Sequence, residues 1–151
     1  MTIGFVYALV GIASAVILAG IGSAVGIGYA ANAAAGAMSE DPKKFGKYLP
    51  LIALPGTQGI YGFVIAFLMF LKLTSLNVDT NVGLAILAGC QPVAWAGLVS
   101  AIWQGKVCAS GVGMSAKQPN ESGKALVMGV FVEFYAVLGL IISIFVWTKI
   151  S

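Results

Sequence analysis

The sequence predicts an all-α membrane protein with four transmembrane helices, arranged as two helical hairpins. Three observations predict it. Of the 151 residues, 60% are hydrophobic and 9% charged, whereas a soluble domain carries about 25% charged residues. Four apolar segments are each long enough to cross a bilayer, which takes about 20 residues as a helix. The second half of the chain repeats the first.

The spans run from Phe5 to Met38, Phe45 to Leu73, Asn81 to Ala116 and Ser122 to Thr148. The breaks between them are SEDPKKFGK, TSLNVDTN and AKQPNESGK. Each carries turn or cap chemistry. Pro42 and Pro119 cannot continue a helix, while Ser39, Asp41, Asn77, Asn81 and Asn120 suit turns and caps. Several spans exceed the hydrocarbon thickness, so the helices protrude past it or tilt.

The repeat has an offset of 77 residues. Ala19, Gly20, Ser23, Ala24 and Gly28 recur as Ala96, Gly97, Ser100, Ala101 and Gly105. Loop landmarks keep the same register: Gly36, Pro42, Gly46, Lys47 and Leu49 recur as Gly113, Pro119, Gly123, Lys124 and Leu126. Gly62 and Ile65 recur as Gly139 and Ile142. Chance similarity between apolar helices would not keep loops and glycines in step together. Residues 1–77 form the first hairpin and 78–151 the second. Each crosses twice, so the repeats are parallel and related by an axis along the membrane normal, unlike inverted-repeat transporters.

Lys43, Lys44, Lys47, Lys117 and Lys124 sit in the first and third breaks, while Lys72, Lys149 and Asp79 mark the opposite side. The positive-inside rule places the hairpin loops in the cytoplasm and both termini outside a multi-pass protein of the cell membrane. A formal charge of +3, from eight Lys and five acids, is too little for nucleic-acid binding. MTIGFVYALVG lacks the basic start of a secretory signal. Cys90 and Cys108 fall in apolar helix and read as small buried hydrophobes, not a disulfide or a metal pair.

The first span is rich in small residues: Gly20, Gly22, Gly26, Gly28 and Gly36 stand among alanines, and the third span carries Gly97, Gly105, Gly111 and Gly113. In lipid, small residues let backbones approach and dispersion drives association. The spacing is not that of a nucleotide loop, and no strand or P-loop Lys accompanies it. Such helices suit a tightly packed inner layer. The second and fourth spans, with Phe63, Phe67, Phe70, Phe134, Phe145 and Trp147, suit a lipid-facing outer layer. A four-helix monomer needs no inner layer, so the pattern points to a ring of subunits.

Glu133 carries the functional signal. It has no charged neighbour between Lys124 and Lys149, and an ionisable group at membrane depth costs several kcal/mol. Uncharged polar groups lie at similar depth. Thr57, Gln58 and Tyr61 share a helix face by their spacing, and Gln104 stands in the third span. Pro55 removes a helical N–H and Gly56 lets the backbone bend, so carbonyls from Leu51 to Leu54 lose helical partners and are either satisfied locally or offered to a cation. The chain can thus supply the Glu133 carboxylate, the Thr57 hydroxyl, the Gln58 and Gln104 amide oxygens and the Leu54 carbonyl. One carboxylate among neutral oxygens is electrically neutral with a monovalent cation. A divalent ion would leave net charge in hydrocarbon. A proton needs only Glu133 and at most one hydrogen bond. Each neutral group has a plainer reading: Gln104, Gln58 and Thr57 as helix–helix glue, Tyr61 as a packing aromatic. Glue does not explain Glu133, since Gln would serve without the ionisation cost. Lys106, beside Gln104, either snorkels or pairs with an acid.

LPGTQGIYGFVIAF in the second span, QGKV in the third and VEFYAVLG in the fourth together resemble the duplicated proteolipid (c or K subunit) of rotary V-type ATPases, most like the bacterial sodium-translocating members. The resemblance covers nearly the whole chain. It implies a two-layered rotor ring of identical subunits, the first and third spans inside and the second and fourth outside. The family carboxylate falls on Glu133. The sodium ligands fall on Thr57, Gln58, Gln104 and the Leu54 carbonyl, with Tyr61 hydrogen-bonding the carboxylate. Phe134 departs from the family, in which a hydroxyl residue can follow the Glu. The resemblance also implies an Arg-bearing stator subunit, and a central stalk touching the loops at Pro42 and Pro119. This chain has no Arg and no nucleotide motif, so both functions lie on other polypeptides and it is no enzyme on its own.

Gly56 stands at the repeat position equivalent to Glu133, so two hairpins carry one carboxylate. The set of neutral oxygens favours Na+ as the carried ion, with H+ as the rival. A small four-helix secondary transporter or channel is the alternative from another class. The parallel repeat, the single carboxylate and the glycine-rich helices weigh against it, and Glu133 weighs against a purely structural adaptor.

Overall fold

The computed structural model describes residues 2–75 and 77–150; Leu76, inside the second polar break, lies outside the described residues, as do Met1 and Ser151. The helices are α1 (Ile3–Glu40), α2 (Phe45–Ala53), α3 (Thr57–Ser75), α4 (Thr80–Lys117) and α5 (Ser122–Lys149). Short 3-10 turns at Pro42–Lys44, Leu54–Gly56 and Pro119–Glu121 join them. Four helical stretches are long and apolar enough to cross a membrane. At 38 residues each, α1 and α4 reach about 57 Å at 1.5 Å per residue, well beyond the ~30 Å of hydrocarbon. Their ends therefore stand in the headgroup region or in water.

Local chemistry sets the ends. The Thr2 hydroxyl accepts from the Phe5 N–H at 3.2 Å and Asp79 accepts from the Val82 N–H at 2.8 Å; each satisfies an orphan donor of a first turn. Asp41 accepts from the Lys43 N–H at 3.2 Å, where Pro42 turns the chain. The second span is broken at its middle. Pro55 has no N–H to give to the preceding turn, and the backbone tightens there into the 3-10 turn Leu54–Gly56 between α2 and α3.

Glycine sets the packing of α1 on α4. A Cβ at Gly22 would lie 2.7 Å from the Leu98 Cα, and one at Gly11 would lie 2.6 Å from the Leu87 Cα. Gly26 and Gly105 touch backbone to backbone, as do Gly4 and Gly83. The two small-residue spans thus form one tight layer, with α3 on α1 and α5 on α4. Phe63, Phe67, Phe70, Phe134 and Phe145 are exposed on the second and fourth spans. Trp147 differs from the expectation of a lipid-facing ring. It is half-buried, donates its indole N–H to the Leu68 carbonyl at 3.1 Å and lies 5.8 Å from the Lys72 ammonium. Its polar edge needs a partner in an apolar setting. Cys90 and Cys108 are buried on one helix. Eighteen residues of helix hold them about 27 Å apart, far beyond disulfide reach.

Gly26→Leu is expected to prevent folding into a monodisperse particle, because the added side chain meets the α4 backbone, which cannot move aside. Overpacking of that kind costs about 3 kcal/mol or more. Gly36→Leu, at a glycine with nothing within 4 Å of its Cβ position, is expected to elute normally. Size-exclusion profiles of the two variants in mild detergent check this.

Candidate functional site

The interrupted second span, α4 and α5 converge at mid-chain depth, and each element contributes for a local reason. The 3-10 turn points the Leu54 carbonyl at the first turn of α3, where the Thr57 hydroxyl donates to it at 3.1 Å. Gly59 and Gly62 bring α3 down on α1: the Gly59 N–H donates to the Ser23 hydroxyl at 2.8 Å, and a Cβ at Gly62 would lie 2.6 Å from that of Ala19. Gly129 brings α5 inward, since a Cβ there would lie 2.8 Å from Leu54 Cδ2 and 3.1 Å from Cys108 Sγ.

One chain of contacts then links all six residues singled out in the sequence. Thr57 Oγ1 lies 3.3 Å from Gln58 Oε1. Gln58 Nε2 donates to Gln104 Oε1 at 2.6 Å. Gln104 Nε2 donates to the Gly129 carbonyl at 3.0 Å and faces Glu133 Oε2 at 3.5 Å. The Tyr61 hydroxyl donates to Glu133 Oε1 at 2.6 Å. Gln58 and Gln104 are fully buried, and Thr57, Tyr61 and Glu133 partly so. The Leu54 carbonyl, expected to be either satisfied locally or offered, is satisfied locally by Thr57.

The arrangement has a definite chemical capacity. It gathers one carboxylate and four neutral oxygens from three helices and a turn, with a phenol donating to the carboxylate. Turning a terminal amide over exchanges its NH2 for its oxygen about a soft torsion, so Gln104 can present a donor to the carboxylate or an oxygen to a cation, and Gln58, bonded to it, can turn over with it. Hydrogen bonds to a charged group contribute about 1.5–3 kcal/mol, so the Tyr61 hydroxyl holds Glu133 in place whichever way the amides face.

Sequence reasoning missed two supports. The Gly129 carbonyl, one turn before Glu133 on the same face, anchors Gln104; the four-residue spacing was the available signal. Ser23 anchors α3 through Gly59, and the sequence marked it only as a repeat position shared with Ser100. Lys106 is exposed and stacks 4.3 Å from the Trp103 ring and 5.8 Å from the Tyr29 ring, so cation–π contact takes the place of an acidic partner. Gln91, a further polar residue of α4, belongs to a separate group: it donates to the Ser14 hydroxyl at 3.1 Å and accepts from the Trp95 indole at 3.2 Å. Phe134 is exposed, edge-on to Phe131 at 5.8 Å, and lends the site no polar group.

Comparison with known proteins gives the following. The family model for the C subunit of ATP synthase matches residues 10–69 and again 84–146. The chain is 47% identical over 140 residues to the V-type sodium ATPase subunit K of Enterococcus hirae, spanning 93% of this chain and 89% of that one. It is 41% identical over 134 residues to the A-type ATP synthase subunit K of Methanocaldococcus jannaschii, spanning 89% of this chain and 60% of that one. It is 27% identical over 146 residues to the 16 kDa proteolipid of the V-type proton ATPase of Nephrops norvegicus, spanning 96% of this chain and 92% of that one.

Proposed function

The chain belongs to the family of the ATP synthase C subunit, and from that membership we propose that it is a rotor-ring subunit of a V-type ATPase that carries Na+ on Glu133. As a member of that family it is a multi-pass membrane component and not the site of ATP chemistry. The observation that supports the sodium reading is the run of polar contacts from Thr57 through Gln58 and Gln104 that ends on the Glu133 carboxylate. Its sodium-ATPase relative supports the same reading. A proton carrier would need Glu133 and Tyr61 alone.

The mechanism follows from charge. Na+ held by the Glu133 carboxylate and the oxygens of Leu54, Thr57, Gln58 and Gln104 makes a neutral unit. A neutral unit can pass through hydrocarbon, where an uncompensated charge costs several kcal/mol. Tyr61 keeps the carboxylate aimed at the cation. Unloading then needs a competing positive charge. This chain has no Arg, so an Arg on a separate stator subunit displaces the ion from Glu133, with access to one side of the membrane at a time. The basic loops at Pro42–Lys44 and Pro119–Glu121 lie in the cytoplasm under this reading and meet the central stalk; both termini lie outside.

Each chain is two hairpins, residues 1–77 and 78–151, with one carboxylate at membrane depth, since Gly56 takes the first hairpin's place for it. Fewer ions per turn means more driving force per ion for a fixed input of ATP, which suits pumping over synthesis. The ratio of ions moved to ATP hydrolysed tests this: an ion-rich ratio would sink it.

Carbodiimide labelling of Glu133 in the purified ring tests the ion. The reagent attacks only the protonated carboxyl. Protection by sodium chloride, absent with potassium or choline salts, is the expected result. Labelling that follows pH alone would make the carried ion a proton and leave Gln58 and Gln104 as helix glue. No labelling under any condition would remove Glu133 as the carrier.

A further inference from the structure

A groove of about 230 Å³ runs between α2 and α5, walled by Lys47, Pro50, Leu51, Ser122, Gly123 and Leu126. Leu51 is buried and forms its floor, with Cδ2 3.5 Å from a Cβ built at Gly111 of α4. The groove therefore opens away from the α1–α4 layer, on the outer face of the chain. Around its mouth Phe45, Leu49 and Val127 are exposed, as side chains that meet lipid are. Gly46 and Gly123 have nothing within 4 Å of their Cβ positions, so the loop end of the groove stands open.

Depth along the helices gives the groove two unlike ends. Glu133 stands near the middle of the span Pro119–Lys149. At 1.5 Å per residue, Ser122 lies about 16 Å from it along α5 and Leu126 about 10 Å. On the other wall, Lys47 lies about 15 Å before Thr57. Half of a ~30 Å hydrocarbon layer is about 15 Å. Lys47, Ser122 and Gly123 thus stand at the headgroup boundary, while Pro50, Leu51 and Leu126 lie inside the hydrocarbon.

The boundary end is positive. Asp41 is held by Lys44 at 3.5 Å and Glu121 by Lys124 at 2.6 Å. Glu40, the remaining acid of that end, is exposed at the close of α1. Lys47, on the groove wall, has no acidic partner among the described residues.

We propose that this groove seats an anionic glycerophospholipid, its phosphate on Lys47 beside Ser122 and its acyl chains running down past Pro50 and Leu126. Basic pockets between membrane helices on the cytoplasmic side bind anionic headgroups. An occupant that is charged at one end and apolar at the other matches both ends of the groove. A soluble anion would leave the Pro50–Leu126 end unfilled, and an acidic protein segment would have to enter hydrocarbon to fill it. Only the choice of leaflet rests on the reading that puts the hairpin loops in the cytoplasm; the binding itself does not.

Native mass spectrometry of the purified protein in mild detergent, titrated with phosphatidylglycerol or phosphatidylcholine, tests this. Phosphatidylglycerol is expected to bind at least tenfold more tightly. Lys47→Gln is expected to cut that preference about fivefold or more, the effect of one lysine near an anionic surface. Lys44→Gln makes the same change in net charge outside the groove and is expected to leave the preference as it was. Gly123→Leu keeps every charge but fills the open end, and is expected to weaken phosphatidylglycerol binding at least tenfold. Gly113→Leu, at an open glycine away from the groove, is the control and is expected to bind as the parent does. Equal affinity for the two lipids, equal losses in Lys47→Gln and Lys44→Gln, or full binding by Gly123→Leu overturns the site. Release of the lipid by inorganic phosphate would make this a site for a free anion, and release by the central-stalk subunits would give the groove to the stalk; either result overturns the lipid as its occupant. Labelling of Lys47→Cys by an impermeant maleimide in sealed, oriented vesicles reads the leaflet separately. Labelling from the outer side would overturn the cytoplasmic placement alone.

Discussion

Glu133→Gln is expected to abolish sodium transport while leaving the ring assembled. Gln has the same shape and keeps partners for the Tyr61 hydroxyl and the Gln104 amide, so the packing around position 133 survives. What it removes is the charge. A unit charge 4 Å from a cation contributes about 4 kcal/mol at an effective dielectric of 20, which is about a thousandfold in affinity at 1.4 kcal/mol per tenfold. Sodium uptake into vesicles carrying the reconstituted complex should fall to background, while native mass and expression stay unchanged. Uptake above a tenth of the parent level would move the carrier role off Glu133. The opposite result, loss of the ring itself, would make Glu133 structural.

The sequence carried the site better than it carried the surfaces. Five of the six site residues were legible because their types are improbable in hydrocarbon: a carboxylate, two amides and two hydroxyls in apolar helix each need a partner, and the partners available were one another. Pro55 was legible for the same reason, since a missing N–H changes the backbone whatever surrounds it, and the Leu54–Gly56 turn stands there. Ser23 and the Gly129 carbonyl were not. Ser is common in membrane helices, and every residue has a carbonyl, so only the fold shows that these two anchor α3 and Gln104. Trp103 and Trp95 were hidden behind the glycines around them. Small-residue content described the face that α4 turns to α1, whereas both tryptophans stand on another face and are 56% exposed. Composition averages over the faces of a helix, and the contrast between a crowded Gly105 and a bare Gly28 appears only when each is placed among its neighbours.

Replacing Gln104 with Leu separates the two ions most cleanly. Gln104 is fully buried, accepts from Gln58 Nε2 at 2.6 Å and donates to the Gly129 carbonyl at 3.0 Å. Leu occupies a similar volume, so the helices need not move. The change removes one oxygen from the proposed sodium shell and leaves the Gln58 amide without its acceptor, and an unmet buried polar group costs about 1–3 kcal/mol. The sodium concentration that half-protects Glu133 from carbodiimide should rise about 10–100-fold, at 1.4 kcal/mol per tenfold. Binding of a proton asks nothing of Gln104, because Tyr61 alone holds the carboxylate from the other side. In a proton ring, Gln104→Leu would therefore leave the pH profile of labelling and the rate of transport near those of the parent, and the shared oxygens of Thr57, Gln58 and Gln104 would be packing groups. A shift in sodium protection with transport restored by high sodium is the outcome that the geometry around Glu133 leads us to expect.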